Sequence, residues 1–152
     1  MKRLLIVHAS QTGHTLQLVE ALCRPLLALP DELQLHSIPA QDAMLDDLLD
    51  ADGIVLATPE NFGYMAGKMK DFFDRTYYPA QGLTAGLPYA MLVSAGTDGQ
   101  GAIRSMRRIA TGYGWKEVLP PVLVCGVVTA AHLAAAAEQG EYLAAGMLIG
   151  RW

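Results

Sequence analysis

Short runs of β-branched and leucine side chains alternate along this chain with stretches where apolar residues recur every three or four positions. The first run, residues 4–7, has no polar interruption, as a strand buried on both faces requires. Leu16, Val19, Leu22, Cys23, Leu26 and Leu27 then fall on one helical stripe, with Gln17, Glu20 and Arg24 off it and Pro30 marking its end. The same reading predicts strands over residues 33–38, 53–57, 89–94 and about 122–127. Between them lie a short helix over 43–49, a helix marked by Met65, Met69, Phe72, Phe73 and Thr76, and another marked by Ile103, Met106, Ile109, Ala110 and Tyr113. A last helix covers 130–148.

Five strands separated by helices imply an α/β architecture with an open, mostly parallel sheet, because parallel neighbours need crossovers of helical length. The 152 residues show no repeat and no linker, so residues 1–152 read as one domain. Apolar residues make up 52% and charged residues 17%, which excludes a disordered chain. A net charge of −4 gives no basic footprint for nucleic acid or an anionic membrane. Any anionic ligand must therefore be held by local geometry. The run after Lys2-Arg3 stops at His8, too soon for a signal peptide, and Pro120, Pro121, Gly126 and His132 interrupt the apolar stretch 118–137. Cys23 and Cys125 read as buried free thiols of a cytoplasmic protein, without metal-ligand spacing, and the four histidines do not cluster.

Ligands of such a sheet sit at its carboxyl edge, and three strand-to-helix loops there carry unusual chemistry. The first is Ser10-Gln11-Thr12-Gly13-His14-Thr15, with hydroxyls at 10, 12 and 15 around a glycine at the opening of a helix. A helix cap needs one such residue; three, with the free N–H groups of a helix start, make an anion cradle without a lysine. The second is Thr58-Pro59-Glu60-Asn61-Phe62-Gly63-Tyr64, which offers edge hydrogen bonds and flat apolar surfaces suited to a planar heteroaromatic. The third, Ala95-Gly96-Thr97-Asp98-Gly99-Gln100-Gly101, has the glycines of a close backbone approach. Two other phosphate motifs fail. Residues 63–68 fall one short of a Walker A loop, with Met69 where Ser or Thr is needed, and no G-x-G-x-x-G follows the first strand.

With these loops in place the chain resembles the flavodoxin-like superfamily over essentially its whole length. Ser10, Thr12, Gly13 and Thr15 match its T/S-x-T-G-x-T phosphate loop. Residues 59–74 resemble the P-x-x-[FY]-G-x-M-x-x-x-M-K-x-F-x-D stretch of NADPH-dependent FMN reductases and related quinone oxidoreductases. The resemblance implies a three-layer sandwich with a five-stranded parallel sheet in the order 2-1-3-4-5. It also implies FMN as cofactor, its phosphate on the first loop and its ring flanked by residues 59–64 and 95–101. The protein would pass electrons from NAD(P)H to a quinone, flavin or similar acceptor, with no catalytic side chain of its own. The alternative is a flavodoxin-type carrier reduced by a partner protein. Glu60 and Asp98, if beside the ring, would disfavour negative charge on the reduced flavin. The helix with Met65, Met69, Phe72, Tyr77 and Tyr78 offers a candidate homodimer face, although such a stripe is more often core.

Overall fold

In the computed structural model, which describes residues 1–29 and 31–152, each strand of the parallel sheet sends alternate side chains into two separate cores. β1 (Lys2–His8) points Leu5 and Val7 to one face and Leu4 and Ile6 to the other. β3 (Gly53–Asn61) divides Ile54 and Leu56 from Val55 and Ala57, and β5 (Pro88–Ala95) divides Tyr89, Met91 and Val93 from Ala90 and Leu92. α2 (Leu45–Leu49), α3 (Gly67–Ala80) and α4 (Gln100–Tyr113) cover the first face; α1 (His14–Cys23) and α5 (Ala130–Leu148) cover the second. Both faces of the sheet are buried, which is why its strands read as unbroken apolar runs.

The sheet has seven strands, five of them along the path from β2 (Leu33–Pro39) through β1, β3 and β5 to β6 (Lys116–Glu117), in place of the expected five in the order 2-1-3-4-5. One extra strand is β4 (Tyr64–Met65), which folds back antiparallel on the end of β3. The other arises because the last sheet position is filled by two pieces, β6 (Lys116–Glu117) and β7 (Val122–Cys125), both parallel to β5. From Glu117 to Val122 the chain advances five residues while β5, from Tyr89 to Leu92, advances three. The two surplus residues bulge out where Pro120 and Pro121 cannot donate to a ladder. The buried Gln139 of α5 repairs the gap: its Nε2 donates to Met91 O at 3.0 Å and to Pro120 O at 3.1 Å.

Other local expectations shift by a turn. The first α-helix ends at Cys23 and continues as a 3₁₀ turn, Arg24–Ala28, because Pro25 lacks the N–H that another α turn needs. The stop predicted at Pro30 lies outside the described residues. β3 runs on to Asn61, past the predicted end at residue 57, and Met65 belongs to β4, not to the helix. Met65, Met69 and Phe72 are buried in the core, leaving Tyr78 as the exposed member of the candidate dimer stripe. Cys125, expected to be buried, is exposed at the end of β7. His132 takes part in the cap of α5, its Nδ1 accepting from Thr129 N at 3.0 Å. Among the described residues no helix is long and apolar enough to cross a membrane.

Two measurements follow from these contacts. Gln139→Met strips two carbonyls of their donor while removing only one unpartnered acceptor, Oε1. It is expected to lower stability in urea by about 1–2 kcal/mol. The bidentate Arg107–Glu117 pair, at 2.6 and 2.8 Å, holds the Glu117 carboxyl below its ordinary 4.5. A depressed carboxyl contributes stability above its unfolded value and loses it as pH falls through the folded one. The stability gap between wild type and Glu117→Gln should therefore close on acidification below about pH 4.5.

Candidate functional site

Chain direction and strand length open a crevice at the carboxyl edge of the sheet. β1 pairs with β3 only as far as His8 with Ala57, whereas β3 stays paired with β5 to Pro59 with Ser94. Beyond Ala57 β1 no longer pairs with β3, and Pro59, which has no N–H, needs no acceptor on the edge β1 has left. The gap falls between β1 and β3, whose crossovers lead to opposite edges of the sheet: the switch point of an open α/β fold.

A cleft of about 460 Å³ fills this place. Gln11, Thr12 and His14 of the first loop line one side, and Pro59, Glu60 and Asn61 of the second line another. Ala95 and Gly96 of the third loop complete the predicted lining. Ser94, Gly126 and Val127 also line it, and sequence reasoning missed them. Gly126, a left-handed glycine (φ 85°) directly after the β-branched run of β7, is the signal that could have pointed to this fourth loop.

In the first loop Gly13 adopts φ 91°, a conformation that favours glycine, and its N–H donates to Ser10 Oγ at 3.2 Å. The first bond of α1 runs from Gln17 N to Gly13 O, so the amides of His14, Thr15 and Leu16 have no partner within the helix. Thr15 is buried and its hydroxyl shares a 2.8 Å bond with Ser94 Oγ, pinning the loop to β5. At the end of β1, burial lowers the His8 imidazole from its ordinary 6.5, disfavouring its charged form.

The second loop is a β-hairpin. Glu60 pairs with Met65 and Asn61 with Tyr64, and the two-residue turn between them has φ 51° at Phe62 and φ 72° at Gly63, the type I′ pattern. Phe62 is the one non-glycine residue with positive φ among the described residues, and its ring stands wholly in solvent. Thr58 is fully buried; its hydroxyl accepts from Ala66 N at 3.0 Å and ties the hairpin's exit to the start of α3.

The third loop is gripped by the second. Glu60 Oε1 accepts from Thr97 Oγ1 at 2.7 Å and Gly99 N at 3.3 Å, and Oε2 accepts from Gly101 N at 3.0 Å and Ala102 N at 3.4 Å. The carboxylate therefore caps the N-terminus of α4 from a different element, where the helix dipole favours negative charge. Gly101 lies outside the cleft: a Cβ there would come within 1.9 Å of Gly63 O, so the glycine permits hairpin and helix to touch through backbone. Asp98 accepts from Gln100 N at 3.0 Å, bracing the turn into α4. Glu60, which also lines the cleft, thus has both carboxylate oxygens engaged by the third loop and the start of α4.

An α/β sandwich with a ligand crevice at its switch point, a glycine-turned helix start on one side and a backbone-rich rim on the other defines a flavodoxin-like domain. Residues 3–130 match the family model described as NADPH-dependent FMN reductase, and the chain belongs to that family. It is 30% identical over 95 residues to an NAD(P)H dehydrogenase (quinone) of Acidithiobacillus ferrooxidans, covering 50% of this chain and 48% of that one. It is 32% identical over 75 residues to a flavodoxin of Aquifex aeolicus, covering 49% and 40%. The chain thus spans about half or less of the length of these relatives. Its fold superposes on the flavodoxin, WrbA-like protein from Agrobacterium tumefaciens with a TM-score of 0.79 at 19% identity, covering 97% of this chain and 98% of that one.

Glu60→Ala should free the amides of Gly99, Gly101 and Ala102 and cost about 1–2 kcal/mol of stability, the usual range for a lost cap. Hydrogen exchange at Gly99, Gly101 and Ala102 should quicken, while amides of β1 and β3 keep their protection.

Proposed function

We propose that this protein binds FMN in the switch-point cleft and acts as an oxidoreductase, passing electrons from NAD(P)H to a quinone, flavin or similar small acceptor. The observation that carries the reading is the first turn of α1: unpaired amides behind a left-handed Gly13, opening beside the cleft with no competing carboxylate on that loop. Amides and hydroxyls at a helix start favour a dianionic monoester even in a molecule of net charge −4. In this reading the first-turn amides with Ser10 and Thr12 hold the phosphate, and Pro59, Glu60, Asn61, Ala95, Gly96 and the Gly126–Val127 turn flank the ring. Thr15 acts indirectly, by fixing the turn through Ser94. Phe62, Tyr64, Thr97, Asp98, Gly99 and Gly101 belong to the walls that carry these contacts. Once bound, the flavin supplies hydride and electron chemistry that no side chain here needs to perform.

The family and the quinone dehydrogenase relative support the enzyme reading. A carrier reduced by a partner protein is the second reading, supported by the flavodoxin relative.

Titration with FMN should give tight, stoichiometric binding followed by quenching of flavin fluorescence. Gly13→Ala, which forces a side chain into the left-handed region at a cost of about 1–2 kcal/mol, should weaken it about tenfold. Anaerobic addition of NADPH should bleach the flavin absorbance rapidly. Slow or absent bleaching with FMN bound favours the carrier, and a chain that ignores FMN overturns both readings.

A further inference from the structure

Residues 99–116 contain Arg104, Arg107, Arg108 and Lys116 and no acidic residue, so this segment carries +4 while the rest of the chain carries −8. All four cations are exposed. Arg107 is neutralised by Glu117, but Arg104 and Arg108 form no ion pair with any described residue, although the chain has 15 acids. The two stand one turn apart on the outer face of α4, where like charges repel and weaken the helix. The fold gains nothing from this ladder.

Next to it stands the strained hairpin. Met65 N donates to Ser105 Oγ at 3.3 Å, and Gly63 presses on Gly101, so the tip bearing Phe62 and Tyr64 is seated against the first turns of α4. Phe62 has a left-handed backbone that disfavours a bulky residue, held by pairing on both sides, and a ring that touches nothing in the fold. Such an outlier persists when its presentation serves something outside the domain. Exposed aromatic rings beside unpaired arginines have the composition of an interface hot spot. No residue of α4 lines the cleft, so these exposed cations face solvent rather than a ligand held inside it.

We propose that the Phe62–Tyr64 hairpin tip and the Arg104–Arg108 ladder form a docking surface for an acidic redox protein, seated over the cleft mouth. The partner presents a carboxylate-rich face to α4 and an apolar depression to Phe62. Electron exchange across this contact rests on the proposed flavin reading; docking itself does not.

The probe is an acidic [2Fe–2S] ferredoxin, with basic cytochrome c as its opposite, and binding to the full chain is read by fluorescence anisotropy at low and high ionic strength. Ferredoxin should bind, cytochrome c should not, and salt should weaken the complex. The double variant Arg104→Glu, Arg108→Glu should lose at least about tenfold in ferredoxin affinity while its FMN titration is unchanged. Phe62→Gly should also weaken binding while keeping or raising the melting temperature, which a purely structural Phe62 would not do. Equal binding of both probes, or an unaffected double variant, overturns the proposal. So does sedimentation showing salt-sensitive oligomers of wild type that the double variant lacks, since the face then serves a second copy. A double variant altered only in KM for NADPH assigns the arginines to the dinucleotide instead. A chain that binds ferredoxin but no FMN leaves the docking surface standing and removes the function proposed above.

Discussion

The carboxylate of Glu60 holds the rim of the cleft together. One side chain at the end of β3 accepts from a hydroxyl and three amides of the next strand-to-helix connection, tying hairpin and α4 together. The contact of Gly63 with Gly101 and the bond from Met65 to Ser105 brace the same junction. Because the negative charge lies at a helix start, it is stabilised where it stands and does not confront the crevice as a free anion. Two walls on different elements thereby become a preorganised surface, and a ligand entering between them has little ordering left to impose.

The opposite wall solves a different problem. In the proposed reading a molecule with net negative charge must hold an anion, and no lysine or arginine lines the cleft. Gly13 turns the chain so that the free amides of α1 open at the crevice, and the buried Thr15–Ser94 bond fixes that turn to the central sheet. Local dipoles act over a few ångströms in a partly desolvated site, where they outweigh a weak and screened global field. Arg104 and Arg108, which have no ion-pair partner among the described residues, stand apart from that wall on the outer face of α4.

Much of this was legible in the residues. The apolar runs of β1, β3 and β5 announced a sheet buried on both sides, and the glycine and hydroxyl pattern of residues 10–15 marked the helix start correctly. The loops failed where long-range contact overrode local chemistry. The strand was expected to end at residue 57 with an extended exit, yet β5 continues alongside Thr58 and Pro59 and keeps them in the sheet. Met65 has helical spacing to Met69, but the hairpin turn claims it for β4. Pro120-Pro121 did interrupt the apolar stretch, but whether they ended a strand or split one depended on Gln139 reaching the open carbonyl of Met91.

The sequence alone determined the class of fold and the three loops that meet at the carboxyl edge of the sheet. Binary pattern, glycine placement and helix starts are local properties, set within a few residues by backbone sterics and solvent exposure. Tertiary structure decided what each side chain in those loops does. Thr15 meets Ser94 across 79 residues and Glu60 meets Gly101 across 41, and nothing within either neighbourhood foretells the partner. Only once the strands lie side by side do distant loops share an edge, and hydrogen bonds of about 3 Å then choose between holding a ligand and holding the fold.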